Sequence, residues 1–358
     1  MRSTILTLCA TLVVSTAQAS PSASVVDLGP TSLFSTQGPL EFPSGSGVLN
    51  RHGHVAGISY DPVLGPVAAI DVFGTVTALA AITGSYGTAI NDAEAVVGYF
   101  SSPVDATIHA GLFSHRRPTT DLGSLGGPIS AAFAINNNGV IVGYSYLADG
   151  STAHAASFST VNAPLDLGTL GGPISAALAV NRFNSAVGFS ILSDNVSFHA
   201  TLFSRHAPAL DLGSLGGPLS LATAINGRGD IVGSSLLSDG VTTHAAAFTP
   251  GGAPTDLGAL AGDTTSSASG INSASCIVGT SSSQAQRGVL WTKSRGAWTI
   301  LDLNSLIKKK SGWTIDSAIA INDQAIVAAT GFQSDGVEHT VLINLGDSLD
   351  SKCDASDE

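Results

Sequence analysis

The sequence predicts an all-β fold: a seven-bladed β-propeller of four-stranded antiparallel blades, closed by an N-terminal strand that pairs into the last blade. Three observations lead to this prediction. They are a repeat of about 45 residues, four strand-like runs within each repeat, and one isolated strand-like run near the N-terminus. Another blade count or a β-solenoid is the alternative.

The repeat is anchored on an asparagine that ends the phrase Ala-Ile-Asn or a variant of it. Successive anchors lie 41, 45, 45, 45, 46 and 50 residues apart, so seven units form one domain at residues 20–345. Seven residues after the anchor, the first six units have a glycine and the seventh has Ala329. A position without a side chain favours close approach of neighbouring strands. The anchors are Asn50, Asn91, Asn136, Asn181, Asn226, Asn272 and Asn322.

The four strand-like runs are clearest in the third unit, at 130–136, 140–147, 153–159 and 165–170. Asn, Asp, Gly and Pro separate these runs, and they are the residues that form the tight turns of antiparallel hairpins. A parallel β-helix, which is the solenoid alternative, normally has a shorter period and fewer tight reversals. The pattern therefore favours antiparallel blades.

The two ends of the chain predict how the last blade is completed. A fourth run follows each of the first six units, but only an acidic tail at 346–358 follows the third run of the seventh. The isolated run Ser24–Pro30 reads like a fourth strand. Pairing it with the last unit completes seven blades and removes open strand edges, which invite aggregation. We expect the tail to be disordered.

The N-terminus and the composition predict an exported protein. Residues 1–19 have the layout of a secretory signal peptide, with Arg2, an apolar stretch and small residues at Ala17 and Ala19. We therefore expect an extracellular protein, or a periplasmic one in a Gram-negative bacterium. No later stretch is apolar for long enough to span a bilayer. Charged residues are only 11% of the chain and the net charge is −12, which argues against a nucleic-acid partner.

Two cysteines remain after the signal peptide. Cys276 interrupts a strand pattern and is interpreted as a small buried hydrophobic residue, whereas Cys353 lies in the acidic tail. Two thiols do not make a disulfide framework, so a disulfide between them is kept as the alternative.

Histidines recur at the start of the third run, and aspartates recur in the fourth run within Asp-Leu-Gly. A shared metal site is the functional interpretation, but separate third strands keep the histidines apart, whereas a zinc–nitrogen bond is about 2 Å long. We therefore predict one buried hydrogen bond per unit, from the histidine to this aspartate or to a neighbouring Ser or Thr, and no catalytic residue, metal site or cofactor. The histidines are His109, His154, His199, His244 and His339, and the aspartates are Asp27, Asp121, Asp166, Asp211, Asp256 and Asp302.

Function is expected where the repeat is broken. The insertion at 30–47 contains Glu41, and an elongated link in the seventh unit contains Trp313, with Trp298 shortly before it. Both insertions follow fourth strands, so we expect them on the same face. Glu41, Trp298 and Trp313 are the candidate ligand face, a platform for a sugar or a peptide.

The repeated phrases resemble a known family. The phrase DLGSLGGPIS…AAFAINNNGVIVGYSYLADGSTAHAASF, which begins at Asp121, is similar to the repeat of the HAF family of extracellular proteins, found mainly in bacteria and named after His-Ala-Phe. Here that motif is loosened to HAGLF, HAASF, HATLF and HAAAF, and the first two units and the sixth lack parts of the pattern. The resemblance covers about residues 25–345. It implies export and a repeat fold, and it supplies no catalytic residues.

The sequence therefore predicts a monomeric, secreted, non-enzymatic binding or scaffold module that presents one propeller face to an unknown protein or glycan. The alternative is an extracellular hydrolase or lyase with its site at the channel mouth. Such an enzyme would need several unlike polar residues to converge at the ends of the innermost strands. Glutamates are few, which makes the carboxylate pair of a glycosidase hard to assemble.

Overall fold

The computed structural model describes residues 23–31, 34–35, 46–80, 82–105, 107–115 and 117–346. These residues form an all-β fold, as predicted, with short 3-10 helices at Ser46–Val48, Leu303–Ser305 and Lys309–Ser311. None of the helices in these ranges is long and apolar enough to cross a bilayer. The predicted signal peptide, Glu41, Cys353 and the predicted tail beyond Gly346 lie outside the described residues.

The strands follow one another with short turns between them. In the first half of the chain they are β1 (Ser24–Pro30), β2 (Phe34–Ser35), β3 (Val55–Asp61), β4 (Gly65–Val72), β5 (Thr75–Ala78), β6 (Ser85–Ile90), β7 (Val96–Ser101), β8 (Ile108–Ser114), β9 (Arg117–Asp121), β10 (Gly126–Ile135), β11 (Ile141–Leu147), β12 (Ala153–Phe158), β13 (Leu165–Asp166) and β14 (Gly171–Val180). In the second half they are β15 (Ala186–Leu192), β16 (Phe198–Ser204), β17 (Ala207–Asp211), β18 (Gly216–Ile225), β19 (Ile231–Leu237), β20 (Thr243–Phe248), β21 (Thr255–Gly258), β22 (Thr265–Ile271), β23 (Ile277–Ser282), β24 (Gln286–Ser294), β25 (Ala297–Asp302), β26 (Thr314–Ile321), β27 (Ile326–Phe332) and β28 (Glu338–Asn344).

The described strands pair into seven antiparallel groups of four, which we call units 1 to 7. Units 1 to 6 each use four consecutive strands, beginning with β2–β5 and ending with β22–β25. Unit 7 has the order β1-β28-β27-β26. Ser24 of β1 pairs with Asn344, and Pro30 pairs with His339. The N-terminal strand therefore pairs with the last strand of the chain, as the sequence predicts.

Backbone pairing links some units but not all of them. Units 1, 6 and 7 are separate four-stranded sheets, whereas units 2 to 5 belong to one 16-stranded sheet. The links between these four units are single parallel pairs: Ile108 with Ile129, Ala153 with Ile174, and Phe198 with Leu219. Strand pairing among the described residues thus does not close the sheets into a ring, and the seven-bladed propeller stays a prediction.

The first and fourth strands differ from their predicted bounds. In unit 3 the first strand begins at Gly126 rather than Ser130, and the fourth strand covers only Leu165–Asp166. The fourth strand ends early because the Asp166 carboxylate accepts a hydrogen bond from the Gly168 N–H at 2.7 Å, which turns the chain.

The core lies between units and is built largely from small side chains. A β-bulge lies in the first strand of unit 3, between Ala132 and Ala134, opposite Gly143 on the second strand. A Cβ atom on Gly143 would come within 2.0 Å of the Ala131 carbonyl oxygen. The repeated glycine is therefore needed for close strand approach, as predicted, and Gly98, Gly188, Gly233 and Gly279 have the same surroundings.

A buried serine also forms hydrogen bonds across each border between neighbouring units among units 2 to 5. The Ser130 hydroxyl accepts a hydrogen bond from the Ala110 N–H at 2.9 Å and donates one to the Gly123 carbonyl at 2.8 Å. Ala110 lies on the third strand of unit 2, and Ser130 lies on the first strand of unit 3. Ser175 and Ser220 repeat both bonds one and two units later.

Each unit has two ends, because its strands alternate in direction. The turn between the first and second strands contains the anchor asparagine, and the turn between the third and fourth strands lies at the same end. We call this the asparagine end. The opposite end, called the link end, contains the turn between the second and third strands and the link to the next unit.

Candidate functional site

The seven anchor asparagines form a closed cycle of hydrogen bonds. The side-chain Nδ2 of each asparagine donates to the backbone carbonyl of the asparagine in the next unit, at 2.9 to 3.3 Å. The last of these bonds runs from Asn322 back to Asn50, across 272 residues of sequence. All seven residues are buried, with 2% to 8% of their surface exposed. The cycle therefore gathers the asparagine ends of all seven units around one point.

Each asparagine also builds its own turn. The Asn136 Oδ1 accepts hydrogen bonds from the N–H groups of Asn138 and Val140, both at 3.0 Å. The sequence predicted this turn role for the asparagine. The bond between units was missed, because it depends on how neighbouring units are placed.

The residues that directly follow the seven asparagines line an open mouth of about 430 Å³ at the asparagine end. This volume lies within the range of small-ligand sites. The asparagines repeat, but the residues that follow them do not: they comprise two arginines, two aspartates, an asparagine, a glycine and a serine. They are Arg51, Asp92, Asn137, Arg182, Gly227, Ser273 and Asp323. This ring of unlike residues is the candidate functional site.

Two acidic residues of the mouth are bound by their neighbours in the ring. The Asp92 carboxylate lies 3.5 Å from the Arg51 Nε and accepts a hydrogen bond from the Asn137 side chain. The Asp323 carboxylate accepts two hydrogen bonds from Ser273, from its N–H at 2.8 Å and its hydroxyl at 3.1 Å. These contacts fix the acidic parts of the mouth in place.

Arg182 is held differently. No described acidic side chain lies within ion-pair distance of its guanidinium. Instead the guanidinium carbon lies 4.9 Å from the centre of the Phe183 ring. Across the unit border, a Cβ atom on Gly227 would lie 3.2 Å from the Arg182 Nε, so the arginine occupies the space that the glycine leaves.

Models of known protein families do not match this chain, and neither do curated proteins.

Charge is segregated between the two ends of the units. At the asparagine end, the described basic residues are Arg51, Arg117, Arg182, Arg205, Arg228, Lys293 and Arg295, against Asp92, Glu94, Asp230, Asp323 and the buried Asp71. At the link end, acidic residues lie in the turns between second and third strands, at Asp61, Asp105, Asp149, Asp194, Asp239 and Asp335, while the lysines Lys308, Lys309 and Lys310 lie in the link between units 6 and 7. The net charge of −12 therefore conceals a basic asparagine end.

The predicted hydrogen bond between histidine and aspartate is present in five units, at 2.6 to 2.9 Å. The pairs are His109–Asp121, His154–Asp166, His199–Asp211, His244–Asp256 and His339–Asp27. The prediction that this bond is buried is wrong, because the aspartate side chains are 42% to 47% exposed. They lie on the outermost strand of each unit, and none of the described strands pairs with its outer edge.

The two units without this pair replace it in different ways: unit 1 loses both members, whereas unit 6 keeps the aspartate. In unit 1 the paired strands carry Val67 and Ala78 at the two positions. In unit 6 Arg287 takes the place of the histidine and lies 3.9 Å from Asp302. Within the described part of the chain, no cluster of three or more His, Cys, Asp or Glu side chains could hold a metal ion.

One pair resembles a catalytic triad in its spacing. Thr107 Oγ1 lies 2.7 Å from the His109 Nε2, and the His109 Nδ1 lies 2.6 Å from Asp121. However, the Thr107 hydroxyl donates its one proton to Asp105 at 2.6 Å. It is therefore not available to be activated by the histidine, as a nucleophile would have to be.

The predicted platform of Glu41, Trp298 and Trp313 does not form among the described residues. Trp298 lies beside the turn between the third and fourth strands of unit 6, where the Lys293 Nζ is 5.2 Å from its ring centre. Trp313 lies at the link end and packs edge-on against the His339 ring. The two tryptophans pack against different core clusters. Trp298 and Trp313 therefore do not belong to one face, because they lie at opposite ends of their units; the expectation that the two insertions share a face stays a prediction, since Glu41 lies outside the described residues.

Cys276 also differs from the prediction. It is buried, with 2% exposure, and its N–H donates to Asn272 in the turn of unit 6. It is disulfide-bonded, so the interpretation as a simple buried thiol is wrong. Cys353, with which a disulfide was the alternative, lies outside the described residues.

Asp71, beside the asparagine turn of unit 1, is fully buried. One oxygen accepts a hydrogen bond from the Gly74 N–H at 2.7 Å, and the other has no partner among the described residues. Burial raises the pKa of this carboxyl, while the Gly74 N–H and nearby His54 oppose the shift. The folded state thus holds the proton more tightly than the unfolded chain does.

This raised pKa predicts how stability changes with pH. As pH rises above the ordinary range of an aspartate, Asp71 ionises at a cost and the free energy of unfolding falls. Asp71→Asn keeps the acceptor for Gly74 and removes the charge. We expect urea unfolding to show that the free energy of unfolding of the variant, relative to the parent, is higher at pH 7 than at pH 4, because only the parent then holds a buried charge.

Asp149→Asn is the matched control. Hydrogen bonds from Thr152 and Ser151 lower the pKa of Asp149 to about 2, so its stabilising contribution is complete at neutral pH and is lost only in strong acid. This variant should therefore be less stable than the parent at pH 7. A stability of Asp71→Asn, relative to the parent, that does not rise between pH 4 and pH 7 would contradict the costly buried charge.

Proposed function

We propose that the chain is a secreted, monomeric, non-enzymatic seven-bladed β-propeller that binds a protein or glycan at its asparagine end. The asparagine cycle supports the seven-bladed ring, because each unit donates one bond to the next and the seventh donates to the first. The pairing of β1 with β28 supports its closure. The signal-peptide layout and the resemblance to the HAF family favour export.

A single observation carries the choice of the binding surface. A repeat fold offers the same groups in every unit, yet a specific ligand requires a few different groups that converge on one site. The mouth is where the repeat presents such groups: cations, carboxylates, an amide and a hydroxyl lie around one opening. Its ion pairs and hydrogen bonds hold these groups in place before a ligand arrives, which lowers the entropic cost of binding.

The test is to block the mouth without disturbing the frame. Gly227 has no positive φ, and a side chain there displaces only the flexible end of Arg182, so Gly227→Trp should fold normally. We expect it to weaken, by at least about tenfold, the binding of any ligand found on a glycan array or a protein panel.

Ser151→Trp adds the same side chain to an exposed turn at the link end and should bind as the parent chain does. Equal melting temperatures would show that all three proteins are folded. A ligand that both tryptophan variants bind with parental affinity would place the binding surface elsewhere.

A further inference from the structure

Arg182 is an exposed cation of the mouth that has no acidic partner among the described residues. Apart from the buried Asp71, the described carboxylates there lie beside other groups: Asp92 and Asp323 are bound within the mouth, and Glu94 lies 3.0 Å from the His54 Nδ1. Asp230 accepts hydrogen bonds from Asn226 and from Ser275, both at 2.8 Å. None of these lies within ion-pair distance of Arg182. Because carboxylates bind a guanidinium in a planar, two-pronged manner, a ligand carboxylate fits this position.

The surroundings of Arg182 indicate what else the ligand contains. Phe183, directly beside it, is 66% exposed, and its ring lies against the Arg182 guanidinium. An exposed aromatic ring next to polar groups offers a flat surface against which the C–H face of a sugar ring can stack. Asn181 and Gly227 line the mouth on either side of Arg182, and Phe183 follows directly after these lining residues. Because Gly227 has no side chain, the guanidinium of Arg182 lies over it at the unit border.

We infer that Arg182, Phe183 and Gly227 bind a carboxylate-bearing saccharide, with the carboxylate on Arg182 and the sugar ring on Phe183. This inference rests on the proposed function and names the ligand class for that site. A long nucleic acid fits less well, because it is held by many phosphate contacts to clustered Lys and Arg, whereas this position offers the single Arg182 beside Phe183.

The experiment uses the full chain and isothermal titration with oligogalacturonate and oligoalginate. Each acidic oligosaccharide is compared with its carboxyl-reduced form, which has the same ring without the charge. We expect reduction of the carboxylates to weaken binding at least about tenfold, and Arg182→Ala to weaken binding of the acidic form by a similar factor. Phe183→Ala should weaken both forms alike.

Arg205→Ala is the matched control for charge. Arg205 lies in the turn between the third and fourth strands of the same unit. Its substitution by alanine therefore removes an equal charge from the asparagine end while the residues that line the mouth are unchanged. We expect it to change the affinity less than about twofold at 150 mM salt, because screening weakens exposed charges beyond about 8 Å.

Three outcomes would overturn the inference. They are an equal loss in Arg182→Ala and Arg205→Ala, parental binding of Arg182→Ala, and tighter binding of a single-stranded oligonucleotide than of either uronate. The uronates could fail to bind while a neutral glycan or a protein binds the parent chain and no longer binds Gly227→Trp. The saccharide inference then fails and the proposed function stands. If no ligand is sensitive to Gly227→Trp, both fail.

Discussion

Removal of β1 should leave a chain that does not form a stable soluble protein. Ser24–Pro30 pairs along the whole of β28, buries Leu28 to 4% exposure and supplies Asp27 to His339. Its loss exposes the edge of β28 and uncovers the core beneath it, and open strand edges promote aggregation. We expect a cost on the order of 5 kcal/mol, which is comparable with the whole stability of a typical domain.

Relocating the strand separates its role in pairing from its place in the sequence. Because β1 runs antiparallel to β28 and Ser24 lies opposite Asn344, the same segment placed after Gly346 through a short Gly/Ser linker can form a hairpin with β28. We expect this variant to recover the soluble yield, elution volume and urea midpoint of the parent. A relocated segment of scrambled order should not. A stable monomer after simple deletion would contradict the role given to β1.

The sequence predicted the parts of the fold that repeat. Local patterns define strands and turns, so the period, the pairing of β1 and the need for a glycine at Gly143 followed from them. The histidine–aspartate bonds were also predictable, since both residues recur with one period. Their exposure was not, because it depends on the outermost position of the fourth strand, which no local pattern records.

The mouth was missed for a different reason. Its residues are separated by about 45 positions and become neighbours only when the units assemble around the asparagine cycle. A signal was nevertheless present: the position after each repeated asparagine varies from Arg51 to Gly227. Attention to long insertions led instead to Trp298 and Trp313, which the fold keeps apart. Likewise, the net charge of the chain could not indicate which turns share an end.

The asparagine cycle makes the second large prediction, in which two substitutions at Asn181 separate its two roles. Its Oδ1 accepts from the N–H groups of Phe183 and Ser185, and its Nδ2 donates to the Asn226 carbonyl at 3.2 Å. Asn181→Ala loses all three bonds at a site with 5% exposure. We expect it to lower the free energy of unfolding by about 3 kcal/mol, at about 1 kcal/mol for each bond, at both pH 4 and pH 7.

Asn181→Asp keeps both acceptor contacts of the turn but replaces the donor with an oxygen that faces the Asn226 carbonyl. Burial and this carbonyl should raise the pKa of the new carboxyl in the folded state above its unfolded value. The variant is then destabilised as pH rises through that pKa, and it recovers in acid, where the protonated carboxyl donates to the carbonyl. Urea unfolding should thus place Asn181→Asp near the parent at pH 4 and near Asn181→Ala at pH 7. If the two variants behave alike at both pH values, the bond between units contributes nothing and the turn alone accounts for the asparagine. If Asn181→Asp recovers in acid, the hydrogen-bond cycle stabilises the packing of the units around the mouth.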